Sequence, residues 1–274
     1  MNGESAGTAV RLAAVEILCE SEKKDIFVNT VLRNRSSGLS FDDSRDRAFL
    51  NRLCLGTASA RIALDYAVSL YAKRGVDSQR PVVRQILRAG AYEILFMDVP
   101  GRATVNSYVE VAGQKGFTGV KSFINAVLRK LSENKDEIEW PDPETRYSMP
   151  GYPASLIRAY VGDDRAEEVY RALLCKDGIS VNIYDRDFYS DGIPEGWEQS
   201  PLCDHVYEMH GGGDVKKIPG YREGAFAVQD VSSVLAVKAL HLTGSEKVLD
   251  LCAAPGGKSC LAASMLLKGG SVLS

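Results

Sequence analysis

At 274 residues, with 45% hydrophobic and 25% charged side chains, the chain has an ordinary globular make-up and room for two cores. It shows no apolar run near the ~20 residues that span a bilayer, and its polar start has no basic-then-apolar signal, so a cytoplasmic location is expected. The net charge of −3 excludes a strongly basic nucleic-acid binder, yet residues 1–140 hold 20 Lys/Arg against 17 Asp/Glu while residues 141–274 hold 13 against 19. Six scattered cysteines (Cys19, Cys54, Cys175, Cys203, Cys252, Cys260), without a C-x-x-C pair and with three histidines, give no reason to expect a metal site or a disulfide framework.

The first half predicts helices throughout. Val10, Ala13, Ala14, Ile17 and Leu18 form one stripe over residues 8–20, and a short second helix runs from Asp25 to Arg35. A third opens at Asp42-Asp43-Ser44 and continues toward Tyr71, with a kink expected at Gly56. Pro81 suits the first position of the next helix, which presents Val82, Val83, Ile86, Leu87, Gly90, Ala91, Ile94 and Leu95 before Pro100-Gly101 stops it. Helices over Thr104–Lys115 and Val120–Glu133 complete an all-α bundle. Arg80, Arg84 and Arg88 recur every four residues on one face and are candidate RNA-phosphate contacts; a solvated or ion-paired face is the alternative. Arg129 and Lys130 suit the closing turn of the last helix.

Asp46-Arg47-Ala48-Phe49-Leu50, Leu87-Arg88-Ala89-Gly90-Ala91-Tyr92-Glu93-Ile94-Leu95 and Phe123-Ile124-Asn125-Ala126-Val127-Leu128-Arg129 resemble the NusB-like domain that opens RsmB/Sun (Fmu) RNA methyltransferases. The resemblance implies an RNA-binding helical domain over residues 1–140.

From Lys135 to Pro153 the chain turns acidic and holds Pro141, Pro143, Pro150 and Pro153, a domain boundary in extended form. Two helices follow, the second with capping-box spacing between Asp164 and Glu167. Gly178 to Tyr184 alternates as a strand; Ser180 stands where the resembled family usually has arginine, which weakens the case for RNA contact there. Residues 185–217 give no clear signal. Gly224 to Ser233 again resembles the family and leads into a helix from Val234 to Leu240, with Asp230 expected as its cap. Residues 141–230 are thus expected to form a small α+β connecting domain.

Residues 231–274 carry the most specific signal. Val248, Leu249 and Leu251 make a short apolar strand interrupted by Asp250; Cys252-Ala253-Ala254-Pro255-Gly256-Gly257-Lys258 then leads into helical spacing from Ser259 to Lys268. Strand, small-residue loop and helix start is how open α/β sheets receive nucleotide-like ligands. The dinucleotide pattern G-x-G-x-x-G is absent, and the phosphate-loop pattern fails because Cys252 replaces its first glycine. Asp250 through Lys258 resembles the S-adenosyl-L-methionine loop of the RsmB/NOP group of RNA cytosine-C5 methyltransferases. That resemblance implies the first β-α unit of a Rossmann-like class I methyltransferase sheet. It makes Cys252, Ala253, Ala254, Pro255, Gly256, Gly257 and Lys258 the cofactor contacts, and Gln229 and Asp230 candidates for the floor of the site.

In the resembled family a cysteine thiolate adds to C6 of the target cytosine, and C5 then attacks the donor methyl. The cysteines concerned lie in Pro-Cys and Thr-Cys motifs, and this chain has neither dipeptide, so no residue is assigned as catalytic. Ser271 to Ser274 reads as the start of a second parallel strand, so the sequence is expected to be the front portion of a longer methyltransferase. Its partial sheet should be weakly stable alone. The overall expectation is a monomeric, multi-domain α plus α/β protein acting on small-subunit (16S) ribosomal RNA, without metal and inactive by itself. A non-catalytic NusB-like antitermination module is the second reading, and a P-loop NTPase the third.

Overall fold

A computed structural model describes residues 3–36, 44–97, 99–174, 178–210, 215–267 and 269–274. The chain divides into two compact units, Met1–Cys175 and Lys176–Ser274. Residues 141–174 belong to the helical unit, and the stretch after 231 packs with the strands of the second.

The helical unit is built from α1 (Gly3–Lys24), α2 (Val28–Ser36), α3 (Ser44–Ser59), α4 (Arg61–Ser69), α5 (Pro81–Phe96), α6 (Gly101–Gln114) and α7 (Lys121–Glu133). Helix α5 lies at its centre, packed on α1, α3, α4, α6 and α7. Its sequence explains the position. Pro81 opens the helix with a fixed φ and no orphan N–H, and almost every residue from Val83 to Ile94 is buried. Gly90 permits the close approach of α7, since a Cβ there would sit 2.7 Å from Leu128 Cδ1.

A carboxylate and its counter-charge are enclosed in this core. Glu93 is fully buried and receives Arg11 Nε at 2.9 Å, Arg11 Nη2, Thr104 Oγ1 at 2.7 Å and Tyr108 OH at 3.3 Å. Arg11 also lies over the Phe49 ring at 5.1 Å and donates to the Gly7 carbonyl. Burial, then the neighbouring Glu93 carboxylate, push the Tyr108 phenol well above its ordinary pKa, so it remains a donor.

The predicted long third helix is two helices, and the kink is not at Gly56. Gly56 lies inside α3 because the Tyr92 ring fills its Cβ position, with Tyr92 Cζ 1.9 Å from where that atom would be. The break comes at Ala60, which has no side chain able to cap α4. Ser148 Oγ takes that role from 85 residues away, accepting the Ala63 N–H at 2.8 Å. Tyr66 OH also donates to the Glu139 carbonyl at 2.7 Å, so the proline-rich stretch is stitched to the bundle.

Three further helices follow: α8 (Pro143–Arg146), capped by Asp142, α9 (Gly151–Val161) and α10 (Asp163–Leu174). They enclose a small core of Tyr147, Met149, Ala154, Ala166 and Tyr170. The expected capping box is corrected here: α10 already begins at Asp163, so Asp164 lies in its first turn.

The second unit holds an antiparallel sheet ordered β2-β3-β1-β4, from β1 (Ile179–Ile183), β2 (Trp197–Gln199), β3 (Val206–Met209) and β4 (Phe226–Val228). Val181, Ile183, Met209 and Phe226 bury one face with Trp197, Tyr207 and Tyr221. Helix α11 (Val231–Lys238) follows, capped as expected by Asp230, which accepts the Ser232 N–H at 3.0 Å. Then come β5 (Lys247–Leu249), α12 (Gly257–Ser264) and β6 (Ser271–Leu273); β5 and β6 pair in parallel, with Val248 opposite Val272. Val206, Val234, Val237, Leu261 and Ala262 form the core joining α11 and α12 to the strands.

Candidate functional site: the loop between β5 and α12

The loop is shaped by its own residues. At its entrance Glu246 receives Thr243 Oγ1 and the Thr243 and Gly244 amides, which pull its carboxyl down to about 2 and fix the turn into β5. Past the strand, the Asp250 N–H still pairs with the Leu273 carbonyl at 2.9 Å, and its side chain turns back on the loop. Oδ1 accepts the Cys252 N–H at 3.1 Å, and Oδ2 accepts Ser259 Oγ at 2.7 Å. One carboxylate therefore ties the loop's first residues to the first turn of α12.

Gly256 supplies the turn into the helix at φ +107°, a left-handed conformation costly for any residue with a Cβ. Its carbonyl accepts the Cys260 N–H at 2.8 Å, the first bond of α12. Gln229 braces the loop from below. Its Nε2 donates to the Gly257 carbonyl at 3.1 Å, while Oε1 accepts Asn182 Nδ2 and Tyr184 OH, both at 3.0 Å. Gln229 is thus a supporting residue, and Asp230 serves α11 instead.

The surface presented is small and polar at the backbone. Cys252, Ala254, Pro255, Gly257 and Lys258 are exposed, and Ala253 and Gly256 half-buried. The opening amides of α12 have no partners within the helix, the geometry that receives an electron-rich ligand. Val248, Leu249, Asp250, Lys258 and Ser259 also border a shallow cavity of about 190 Å³ beside the loop.

The arginine face behaves differently from a phosphate track. Arg88 is only 6% exposed and grips Asp65 with both Nε and Nη2, at 2.6 and 2.7 Å. Arg84 pairs with Glu22 at 2.8 Å and donates to the Asp77 carbonyl at 3.1 Å. The ion-paired alternative describes both: a guanidinium taken from water needs its carboxylate. Arg80 alone of the three is exposed, at the start of α5. Arg129 pairs with Glu133 one turn on.

The cysteines separate by environment. Burial pushes Cys54 up to about 12 and Cys19 up to about 11, whereas Cys252 and Cys260 are exposed. Brief iodoacetamide treatment at pH 7.5, read by peptide mass spectrometry, should alkylate Cys252 and Cys260 and spare Cys54. Early modification of Cys54 would contradict its burial. Cys175 lies outside the described residues. Among the described residues no group of three His, Cys, Asp or Glu could hold a metal ion, and no helix is long and apolar enough to cross a membrane.

Comparison with known proteins bears on this arrangement. The NusB family model matches residues 8–133. The probable ribosomal RNA small subunit methyltransferase B of Bacillus subtilis is 30% identical, covering 97% of this chain and 62% of its own length. The ribosomal RNA small subunit methyltransferase B of Shewanella oneidensis is 25% identical over 92% of this chain and 59% of its own. This chain thus spans about 60% of the length of these relatives. The crystal structure of PH0851 shares the fold with a TM-score of 0.62 at 17% identity, covering 99% of this chain and 63% of that one.

Proposed function

This chain carries a NusB domain and is homologous over most of its length to the enzymes of the RsmB/Sun ribosomal RNA methyltransferase family, and from that premise we propose that it serves S-adenosylmethionine-dependent cytosine-C5 methylation of small-subunit ribosomal RNA. The observation that carries the reading is the loop from Cys252 to Lys258, bent by Gly256, tied by Asp250 and braced by Gln229.

The residues present fit such a cofactor. Small side chains let the ligand reach the backbone, and the opening amides of α12 offer donors to it. The absence of the first P-loop glycine, at Cys252, disfavours a triphosphate in the same place. When bound, S-adenosylmethionine would supply an electrophilic methyl group on its sulfonium. Asp250 would act by holding the bend, since each of its oxygens is engaged within the loop. The strand-loop-helix-strand unit from β5 to β6 would be the first β-α unit of a Rossmann-like sheet, with residues 231–274 as its domain. The helical unit would meet the RNA, with Arg80 the member of the arginine series open to phosphate.

Methyl transfer needs a nucleophile for C6, and the chain has no Pro-Cys or Thr-Cys dipeptide to supply it. Incubation with methyl-labelled cofactor and ribosomal RNA should therefore leave RNA labelling at background, while equilibrium dialysis detects weak cofactor binding. Labelled RNA would show that a nucleophile is present after all. ATP bound in place of S-adenosylmethionine would overturn the cofactor reading.

A further inference from the structure

We propose that the cleft between the start of α6 and the end of α7 binds one nucleotide of RNA, its phosphate on Arg102 and Arg129 and its base edge on Asn106 and Asn125; this rests on the reading that the chain acts on RNA. The cleft has a volume of about 440 Å³ and is lined from α6 by Arg102, Val105 and Asn106, and from α7 by Asn125, Arg129 and Ser132. That volume lies in the range of small-ligand sites, roughly 300–1,000 Å³.

Its chemistry is that of a donor-rich wall. Pro100 precedes α6 and no side chain caps the helix, so its first amides have no side-chain acceptor, and Gly101 of that first turn lines the cleft. Gly101 allows α7 to close on this turn, because a Cβ there would lie 1.9 Å from Ser132 Oγ. The one lining carboxylate, Glu133, is engaged by Arg129 Nε at 2.8 Å, which leaves that guanidinium's two terminal nitrogens to face a ligand. The end of α7 contributes carbonyl dipoles of the opposite sign, but the Lys130 carbonyl already accepts the Asn134 backbone N–H and Nδ2. Arg102 is exposed, so it can meet a phosphate at little desolvation cost. Asn106 and Asn125, also exposed, present the paired donor and acceptor that read a base edge. Arg84 and Arg88 are drawn into the bundle by carboxylates, whereas Arg102 is exposed and Arg129, though paired through Nε with Glu133, is exposed as well.

The test is filter binding of labelled small-subunit ribosomal RNA fragments to the full chain across a salt series. R102E should weaken binding more than tenfold, and R102A should lower the salt slope by about 0.7, the value for one single-strand phosphate contact. R165A, at an exposed position on α10, should stay within twofold of the parent. The amide resonances of Gly101 and Ser132 should shift on RNA titration. If the parent binds RNA and R102E binds equally well, the cleft assignment is wrong while the RNA reading stands. If the parent binds no RNA, that reading fails and the assignment falls with it.

Discussion

Replacing Glu93 by Ala should destabilise the helical unit by about 3–5 kcal/mol, the range measured when one partner of a buried ion pair is removed. The cost arises from what is left behind. The Arg11 guanidinium would remain enclosed without a counter-charge, and Thr104 and Tyr108 would lose the acceptor for their hydroxyls. Each unsatisfied buried donor adds a desolvation penalty of about 1–3 kcal/mol, so the network falls as a group. A double variant, Arg11→Met with Glu93→Leu, should recover most of the loss, because apolar groups of similar volume replace buried ion pairs at little cost. Urea denaturation followed by far-UV circular dichroism would measure both. A single variant within about 1 kcal/mol of the parent would mean that water reaches Glu93.

Asp250→Ala should lower S-adenosylmethionine affinity by about ten- to a hundredfold, equivalent to about 1.4–2.8 kcal/mol. The side chain makes two bonds, to the Cys252 amide and the Ser259 hydroxyl, and these set the distance between the loop's beginning and the first turn of α12. Without them the loop amides must be ordered at the moment of binding, which draws on the binding energy. Asp250→Asn, which keeps one acceptor for the Cys252 amide, should fall between the two. Equilibrium dialysis with labelled cofactor gives the affinities, and a near-unchanged thermal transition would show that the sheet itself persists. Equal affinity in parent and Ala variant would remove the loop from the cofactor site.

The features that could be read from the sequence were those whose causes are local. The helices of the first half announce themselves through the spacing of apolar residues, and Pro81 marks the start of α5 correctly. The bend at Gly256 and the cap at Asp230 likewise depend on neighbours within a few residues. Features fixed by distant partners were misread or hidden. Gly56 looked like a kink because its reason, the Tyr92 ring, comes from α5. Arg84 and Arg88 looked like a basic face because Glu22, Asp65 and Asp77 arrive from other stretches of chain. Strands β2 and β3 have only three and four residues, too few for an alternation to register, and their pairing partners supply the order. Gln229 appeared as a candidate for the floor of the site, but its brace against Gly257 depends on Asn182 and Tyr184, more than 40 residues earlier.

The cap that Ser148 provides for α4 changes how deletions in this protein behave. Severing the chain at its acidic, proline-rich stretch, after Trp140, would discard the acceptor of the Ala63 amide along with Tyr147 and Met149. Helix α4 would then fray at its first turn, and its contacts with α5 would loosen with it. A fragment ending at 140 that lost affinity for RNA would be reporting this unravelling, whereas one ending near 174 would keep the cap and report on the ligand.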